Sequence, residues 1–445
     1  MDRRKFLELA SLSGLAVAAP SAYALLRDRE ARARAAAPYR GPFWLLINAG
    51  GGWDPIYCCD PKTDGEQNRL YTSIASAGEI KYAPIDPAHV FDAYSIAPED
   101  QQYFMTNQTF FERYASKLLV VNGVDTSTNN HESGSRSIWS GRVLEGYPSL
   151  GALLAASKAP EGAMAFLSGG GHDNTAGIIP LTRAASASAL GRLLHPGLVD
   201  PAKPDGDRYH SAQTSDRIAR AQQERLKRLR GVQHLPHAER QMDALYLARG
   251  SDADLARLSL PTLVDLPPAA GGDLERMCQQ AQIAVSAFKA GVAVACNLHL
   301  GGFDTHATHD RNQVRQLCKL FYGIDFVMNE VQQAGLGDNV VVMIGSDFGR
   351  GPAFNGVGDG SGKDHWPITS VMFMGKGVRG NRVIGGTDGE QRALHIDKAS
   401  KRIDSGGVKI TTQLVHRAVR RFAGIEGGAL SKQYPLVGED VDLFG

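Results

Sequence analysis

The sequence lacks an excess of charge of either sign, and it has few cysteines. Its formal net charge is +1, and a nearly neutral surface offers no broad electrostatic footprint for DNA, RNA or anionic lipid. We therefore expect no nucleic-acid partner. Five cysteines in 445 residues are an odd and small number, which excludes a disulfide-stapled scaffold, and the absence of a Cys-x-x-Cys pair argues against a thiolate zinc site. Cys278, Cys296 and Cys318 lie in apolar patterns and are predicted to pack in the core.

Long apolar runs and several common catalytic motifs are also missing. Beyond the N-terminus no segment is long and apolar enough to cross a bilayer, so we expect no stable membrane span. The glycine-rich stretch before Asp364 has Val357 where a P-loop requires glycine, and Asp364 where it requires Ser or Thr. His131-Glu132 is not followed by a histidine three residues later, which excludes the zinc-protease helix. The lack of a Gly-x-Ser-x-Gly elbow argues against an ordinary serine esterase.

The N-terminus has the pattern of a bacterial export signal. Arg3 and Arg4 precede a weakly apolar run over residues 9–19 and an Ala-x-Ala pattern at residues 22–24. Adjacent arginines followed by Phe-Leu favour the twin-arginine route, which carries folded proteins, so its translocase is the partner expected during export. We predict a signal peptide over residues 1–24, a linker over 25–42, and a periplasmic or secreted mature protein. A membrane anchor is the weaker alternative, because the apolar run is short.

Apolar runs typical of buried parallel strands alternate with helical patterns along the rest of the chain. The strands are predicted at 43–48, 117–122, 163–167, 292–300, 340–344 and 370–374. Apolar residues recur at helical spacing within 274–288 and 314–331. This order predicts an α/β fold over residues 43–445, a doubly wound, mostly parallel sheet flanked by helices. The charged segment 208–260 interrupts the alternation and is predicted to be an inserted helical subdomain with a solvated basic face.

Carboxylates, imidazoles and one guanidinium follow the predicted strands. In open α/β sheets the ligand site lies beyond the carboxyl ends of the strands, so these side chains are expected to converge. They are Asp54, Asp304, His306, His309, Asp347, Arg350 and His365. Several buried carboxylates side by side would repel one another unless a cation lay among them. Imidazoles beside them complete a nitrogen and oxygen ligand set that suits zinc, manganese or iron.

Each candidate also has a simpler structural interpretation. His306 and His309 either lie in a surface turn or belong to a helix start that Asp304 and Thr305 cap. We favour His306 and His365 as ligands and leave His309 open. Arg350 either binds an anionic group of a substrate through its planar fork or forms a salt bridge that holds its own loop. The weaker histidine candidates are His131, His172 and His299.

Four short segments resemble the secreted bacterial family known as domain of unknown function 1501 (DUF1501), within the alkaline phosphatase and sulfatase superfamily. The segments are Gly51-Gly52-Trp53-Asp54, Gly302-Phe303-Asp304-Thr305-His306, Asp347-Phe348-Gly349-Arg350 and Asp364-His365-Trp366. The resemblance extends from about residue 43 to residue 419. It implies an alkaline phosphatase-like fold and an enzyme that hydrolyses phosphate or sulfate esters with a divalent metal, which is zinc or manganese, or alternatively calcium.

The resemblance also implies roles for the candidate residues. Asp304, His365 and either His306 or His309 look like one metal site. Asp54 and Asp347 look like ligands of a second site. His131 and Arg350 are then expected near the substrate, as the catalytic residues.

Two positions depart from the pattern of this superfamily. Phe348 stands where its phosphatases usually have a histidine, and Asn130 stands where a nucleophilic hydroxyl is expected. The remaining hydroxyl candidates are Thr126, Ser127, Thr128 and Ser133. The sequence therefore supports two hypotheses. The first is an exported metal-dependent hydrolase of a small anionic ester, and the second is a catalytically silent metal-binding scaffold with an extracellular protein partner.

Overall fold

A computed structural model describes residues 37–162, 164–183, 197–200, 203, 205–232, 235, 238, 242, 257–259 and 261–445. The predicted signal peptide at 1–24 and most of the predicted linker at 25–42 lie outside the described residues. The predicted helical insertion at 208–260 is described only in part. Its described portion contains one long helix, Ala212–Val232.

The described part of the chain contains twelve β-strands. They are β1 Phe43–Ala49, β2 Ala75–Ala77, β3 Ile80–Tyr82, β4 Leu119–Asp125, β5 Phe166–Ser168, β6 Leu181–Arg183, β7 Ala295–Leu300, β8 Val340–Ser346, β9 Gly349–Phe354, β10 Lys363–Trp366, β11 Ile368–Gly375 and β12 Arg382–Gly385.

Nine α-helices lie in the same described residues. They are α1 Ala88–Phe91, α2 Asn107–Tyr114, α3 His131–Ser140, α4 Leu150–Lys158, α5 Ala212–Val232, α6 Gly272–Ala290, α7 His309–Gln333, α8 Thr412–Phe422 and α9 Ala429–Gln433. Short 3-10 helices occupy Pro55–Tyr57, Pro98–Tyr103 and Ala115–Lys117.

Eight strands form one sheet in the order β12-β4-β11-β8-β1-β7-β5-β6. Strand β1 runs parallel to both β7 and β8, and the predicted α/β class with a doubly wound, mostly parallel sheet is confirmed. Strand β11 is the exception, because it runs antiparallel to β4 and β8. The cause is the β9–β10 hairpin, which follows β8 and returns the chain to the sheet from its carboxyl edge.

Both faces of the sheet are buried, as the continuous apolar runs predicted. Side chains of β1 alternate between the two cores, with Leu45 and Ile47 on one face and Trp44 and Leu46 on the other. Helices α6 and α7 contribute the first core, and α4 and α8 contribute the second. The sheet is therefore held between helical layers, and its carboxyl edge is left for the loops that carry the candidate site.

The five cysteines are all buried, and none forms a disulfide. Their burial agrees with the predicted core packing of Cys278, Cys296 and Cys318. None of the described helices combines the length and the apolar composition that a bilayer crossing requires.

The aromatic packing beside α7 predicts a large loss of stability on truncation. Phe321 is fully buried, and its ring stacks on Phe110 of α2 with centroids 4.1 Å apart. We expect Phe321→Ala to lower the free energy of unfolding by about 3–5 kcal/mol, through lost burial and a residual cavity. Urea denaturation followed by circular dichroism measures this change. The control is Leu144→Ala, because the side chain of Leu144 is 66% exposed. This variant should lower the free energy of unfolding by about 0.5 kcal/mol or less. Equal losses in the two variants would contradict the packing of Phe321 against Phe110.

Candidate metal centre

The loops at the carboxyl edge of the sheet bring four histidine and aspartate side chains together. Asp304 and His306 follow β7, His365 lies in β10, and His131 is the first residue of α3. The ligand atoms of His131, Asp304 and His365 all lie within 4.8 Å of one another. Three separate segments of the chain thus converge at one place, as the sequence predicted for Asp304, His306 and His365.

Asp304 lies at the centre of this group. Its Oδ1 is 3.0 Å from His306 Nε2 and 3.2 Å from His365 Nε2, and its Oδ2 is 3.3 Å from His131 Nε2. The Nε2 atoms of His306 and His365 are 2.8 Å apart. Ligand atoms about 2.0–2.2 Å from a tetrahedral zinc ion are separated by roughly 3.3 Å, so these spacings are close to those of a metal site.

The hydrogen bonds at Nδ1 fix where His306 and His365 carry their protons. His365 Nδ1 is 2.7 Å from the backbone oxygen of Asn129, and His306 Nδ1 is 3.3 Å from Asp364 Oδ1. Both partners only accept hydrogen bonds, so each Nδ1 carries the proton. A neutral ring then has a bare Nε2, and the two lone pairs face each other beside a carboxylate. Such an arrangement is repulsive without a cation between the rings.

His131 adds a third imidazole nitrogen to this group. Its Nδ1 is 3.1 Å from Asp347 Oδ2, and its buried Nε2 makes no hydrogen bond within the described part of the chain. The hydrogen bond to Asp347 raises the pKa of His131, and the charge of Asp304 adds to this effect. A proton and a metal ion would therefore compete for the same nitrogen.

Arg350 holds Asp304 in place and keeps it ionised. The guanidinium is 2.7 Å from Asp304 Oδ1 and has no exposed side-chain surface. Burial by itself raises the pKa of Asp304, but the hydrogen bond from Arg350 and the positive charge of that guanidinium lower it to about 2. The other acceptors of Arg350 are the backbone oxygens of Gly51, Gly52, Phe303 and Lys363. The structure thus places Arg350, without exposed side-chain surface, against Asp304.

Asp54 and His309 lie together in a separate, fully buried group. Asp54 Oδ2 accepts hydrogen bonds from Lys363 Nζ at 2.7 Å and His309 Nε2 at 2.9 Å. The other oxygen accepts the N–H of Ile56 at 3.0 Å, and His309 Nδ1 is 2.7 Å from the hydroxyl of Thr305. Both histidine nitrogens are therefore engaged, and the structure brings neither Asp54 nor His309 to the group around Asp304.

The charge of Lys363 compensates the buried carboxylate of this second group. Burial by itself raises the pKa of Asp54, but the ammonium of Lys363 and the contact with His309 lower it below its ordinary value. Rings of Tyr57 and Phe354 flank the ammonium at 5.2 and 5.1 Å. This ion pair fastens the loop after β1 to strand β10.

Asp347 does not share a ligand group with Asp54 among the described residues. Its Oδ2 accepts the N–H of Gly51 at 3.0 Å as well as the contact with His131. The second metal site predicted from Asp54 and Asp347 has no such arrangement in this part of the chain. Asp347 instead orients His131 through the nitrogen opposite the candidate metal position.

An open cavity of about 530 Å³ adjoins the centre. His131, Asp304 and Asp347 line it, together with Asn48, Gly50, Gly51, Glu132, Ser135, Gly171 and His299. No hydroxyl candidate predicted from the sequence belongs to this lining. The side chain of Asn130 accepts the N–H groups of Glu132 and Ser133, so Asn130 is the N-cap of α3.

No role was predicted from the sequence for two supporting residues in β10. Lys363 compensates Asp54, and Asp364 accepts the proton of His306. Both directly precede His365, and a register irregularity between Lys363 and His365 interrupts the β9–β10 pairing. The sequence shows that Lys363 and Asp364 are neighbours of His365, but the spacing of residues alone does not predict a register irregularity in the strand.

The fold and the site define an α/β protein with a candidate centre for a divalent cation. Residues 44–402 match the model of the family described as "Protein of unknown function (DUF1501)". The chain therefore belongs to this family, and the prediction made from its motifs is confirmed. No curated protein matches the chain in sequence.

Solved structures similar to the chain include phosphatases and sulfatases. The alkaline phosphatase from the Antarctic bacterium TAB5 has 8% identity, with 76% of this chain and 92% of that chain covered and a TM-score of 0.30. BT1596, a 2-O GAG sulfatase, has 13% identity, coverage of 87% and 72%, and a TM-score of 0.32. Ps i-CgsB, solved with k-i-k-neocarrahexaose, has 10% identity, coverage of 91% and 75%, and a TM-score of 0.35. Likenesses at this level carry no argument about activity.

The buried ion pair predicts a large, pH-dependent loss of stability for Lys363→Met. We expect a cost of about 3–5 kcal/mol at pH 7, because Asp54 keeps its charge without its main partner. Without the ammonium, burial raises the pKa of Asp54, so the cost should shrink as acid protonates the carboxylate. Denaturant unfolding at pH 7 and pH 5 measures both effects.

Lys409→Met is the matched control for this experiment. Lys409 Nζ lies 2.6 Å from Asp125, but its side chain is 43% exposed, so the loss should be about 0–1 kcal/mol and insensitive to pH. Equal losses in the two variants would show that the Asp54–Lys363 pair does not stabilise this edge of the sheet.

Proposed function

We propose that the chain is an exported, metal-dependent hydrolase of phosphate or sulfate esters. The observation that carries the proposal is the convergence of three Nε2 atoms and one ionised carboxylate, from His131, His306, His365 and Asp304, beside an open cavity. A divalent ion bound there supplies Lewis-acid stabilisation of charge on a phosphoryl or sulfuryl group. The substrate is accordingly a small anionic ester.

The donor set favours zinc or manganese over calcium. Three imidazoles and one carboxylate form a mixed nitrogen and oxygen set, which suits zinc and manganese. Calcium instead takes six to eight oxygen ligands. Each proposed histidine ligand also donates its Nδ1 proton to an oxygen acceptor, which is the usual arrangement around metal-ligating imidazoles.

The residues around the cavity determine how the chemistry would proceed. Asn130 caps a helix and Thr126 donates its hydroxyl proton to backbone oxygens, so neither is placed as a nucleophile. We take water entering the cavity as the attacking group, because all four hydroxyl side chains predicted as nucleophiles lie outside the cavity lining. Asp347 Oδ1 has no hydrogen-bond partner among the described residues and lines the cavity, where it can accept a hydrogen bond from that water. Arg350 positions Asp304, a supporting role in place of the predicted substrate contact.

Export belongs to the same proposal. The Arg3-Arg4 pair and the short apolar run after it support transport by the twin-arginine translocase. Since that route carries folded proteins, the metal would be bound before export. The mature protein would then act in the periplasm or outside the cell.

A second candidate function is a catalytically silent metal-binding scaffold for an extracellular partner. The observation that favours it is that none of the four hydroxyl side chains predicted as nucleophiles lies in the cavity lining, where the one hydroxyl is that of Ser135. In that case the cation would join the loop after β7 to β10 and α3 without turnover. The two candidates share the metal centre and differ only in activity.

Metal content gives the first test. We expect the protein purified without chelators to carry about one equivalent of a divalent metal, and His365→Ala to lose at least about 10–100-fold in metal affinity. Mass spectrometry of the metal, with a competitive chelator titration, measures both. The control is His395→Ala, because His395 is exposed and lies outside the centre. Wild-type protein with under about a tenth of an equivalent would contradict both candidate functions.

Hydrolysis gives the second test. The metal-loaded protein should hydrolyse at least one of three substrate classes, which are aryl phosphates, phosphodiesters and aryl sulfates. His365→Ala should reduce the rate to background while its circular dichroism spectrum stays that of the wild type, and His395→Ala should keep full activity. A metal-loaded protein that is inactive on all three classes would favour the scaffold.

A further inference from the structure

Besides His131, a second imidazole lines the cavity, and it does not belong to the candidate metal centre. His299 lies in β7 and is paired in register with Asn48 of β1. Both side chains line the cavity that His131 and Asp304 also line. The proposed function gives these two side chains no role.

A chain of hydrogen bonds fixes which nitrogen of His299 carries the proton. The indole N–H of Trp139 is 3.2 Å from Asn48 Oδ1, and because an indole nitrogen only donates, that atom of the amide must be the oxygen. Asn48 Nδ2 then donates to His299 Nδ1 at 3.1 Å. His299 Nδ1 is therefore the acceptor, and a neutral ring carries its proton on Nε2.

The surroundings keep this ring neutral and hold it in place. Burial lowers the pKa of His299 below its usual value. A Cβ atom at Gly50 would lie 2.3 Å from His299 Cε1, so the backbone of the loop after β1 packs directly on the ring. His299 Nε2 has no hydrogen-bond partner among the described residues, and its N–H remains free for a ligand.

We propose that His299 Nε2–H donates a hydrogen bond to an oxygen of an oxyanion, a phosphate or sulfate group, bound in the cavity. This inference rests on the proposed function and names a substrate-binding residue for it. Asp304 and Asp347 on the same lining only accept hydrogen bonds, so a bound oxyanion needs a donor such as this one. A protonated Nε2 has no lone pair, and His299 is therefore a donor to the substrate and not a metal ligand.

The tautomer is tested by NMR on the full-length protein labelled with ¹⁵N-histidine and prepared without added metal. His299→Gln identifies the signals of the ring by their loss. We expect the wild type to show a protonated Nε2 and a bare Nδ1, and Asn48→Leu to shift part of the proton to Nδ1. A wild-type ring protonated on Nδ1 would overturn the inference, whatever the enzyme assays show.

The ligand contact is tested by calorimetric titration of the metal-loaded protein with inorganic phosphate and, separately, sulfate. We expect His299→Ala to weaken binding of the preferred anion about tenfold or more, the effect of one lost hydrogen bond to a charged group. His299→Gln, whose side-chain amide also donates, should recover part of the affinity. His395→Ala should bind as the wild type does, and each variant is checked for equal metal content and an unchanged circular dichroism spectrum.

Two results overturn the inference at this stage. One is wild-type affinity in His299→Ala, and the other is a metal-loaded wild-type protein that binds neither anion. Its failure is distinguishable from that of the proposed function. Anion binding that depends on His299, without turnover of any ester, would refute the hydrolase and leave the ligand contact standing. Ester hydrolysis at the wild-type rate in His299→Ala would refute the ligand contact and leave the hydrolase standing.

Discussion

The candidate site depends on one buried cation, the guanidinium of Arg350. It lies in β9 and reaches backbone oxygens in the loops after β1 and β7, an oxygen of β10, and the carboxylate of Asp304. A guanidinium without exposed surface is tolerable only when such acceptors surround it. The same contacts that satisfy the charge therefore hold four segments in register at the sheet edge. The position of Asp304, and with it the arrangement of His306 and His365, follows from this requirement.

A second constraint orients the imidazoles before any ion arrives. Each Nδ1 in the centre is held by an oxygen from a different segment, namely Asn129, Asp364 and Asp347. The rings are thereby turned so that their Nε2 atoms face Asp304. Preorganisation of this kind lowers the cost of ordering the ligands on binding. It serves a catalytic centre and a structural one equally well, which is why activity alone separates the two candidate functions.

Local sequence patterns predicted those parts of the fold whose burial is uniform. Strands β1 and β8 are recognisable in the sequence because both of their faces are buried and must be apolar. Helix α7 is recognisable because one whole face of it must be apolar. Asp304, His306 and His365 were predictable because carboxyl ends of strands meet at one edge. The environment of Asp54 was not predictable from the sequence, because its partner Lys363 lies 309 positions away along the chain. A carboxylate after a strand looks the same in sequence whether an ammonium or a metal compensates it.

The buried, unlinked cysteines have a consequence for the order of biogenesis. Outside the cytosol, exposed thiols are readily oxidised to disulfides, and the adjacent Cys58 and Cys59 offer many wrong pairings to an unfolded chain. In the folded protein all five cysteines are buried in the first core, on the side of the sheet that α6 and α7 cover. If the chain completes its folding in a reducing compartment, its thiols are therefore already buried when it reaches an oxidising compartment. Translocation in the folded state would spare this sequence any need for a disulfide isomerase.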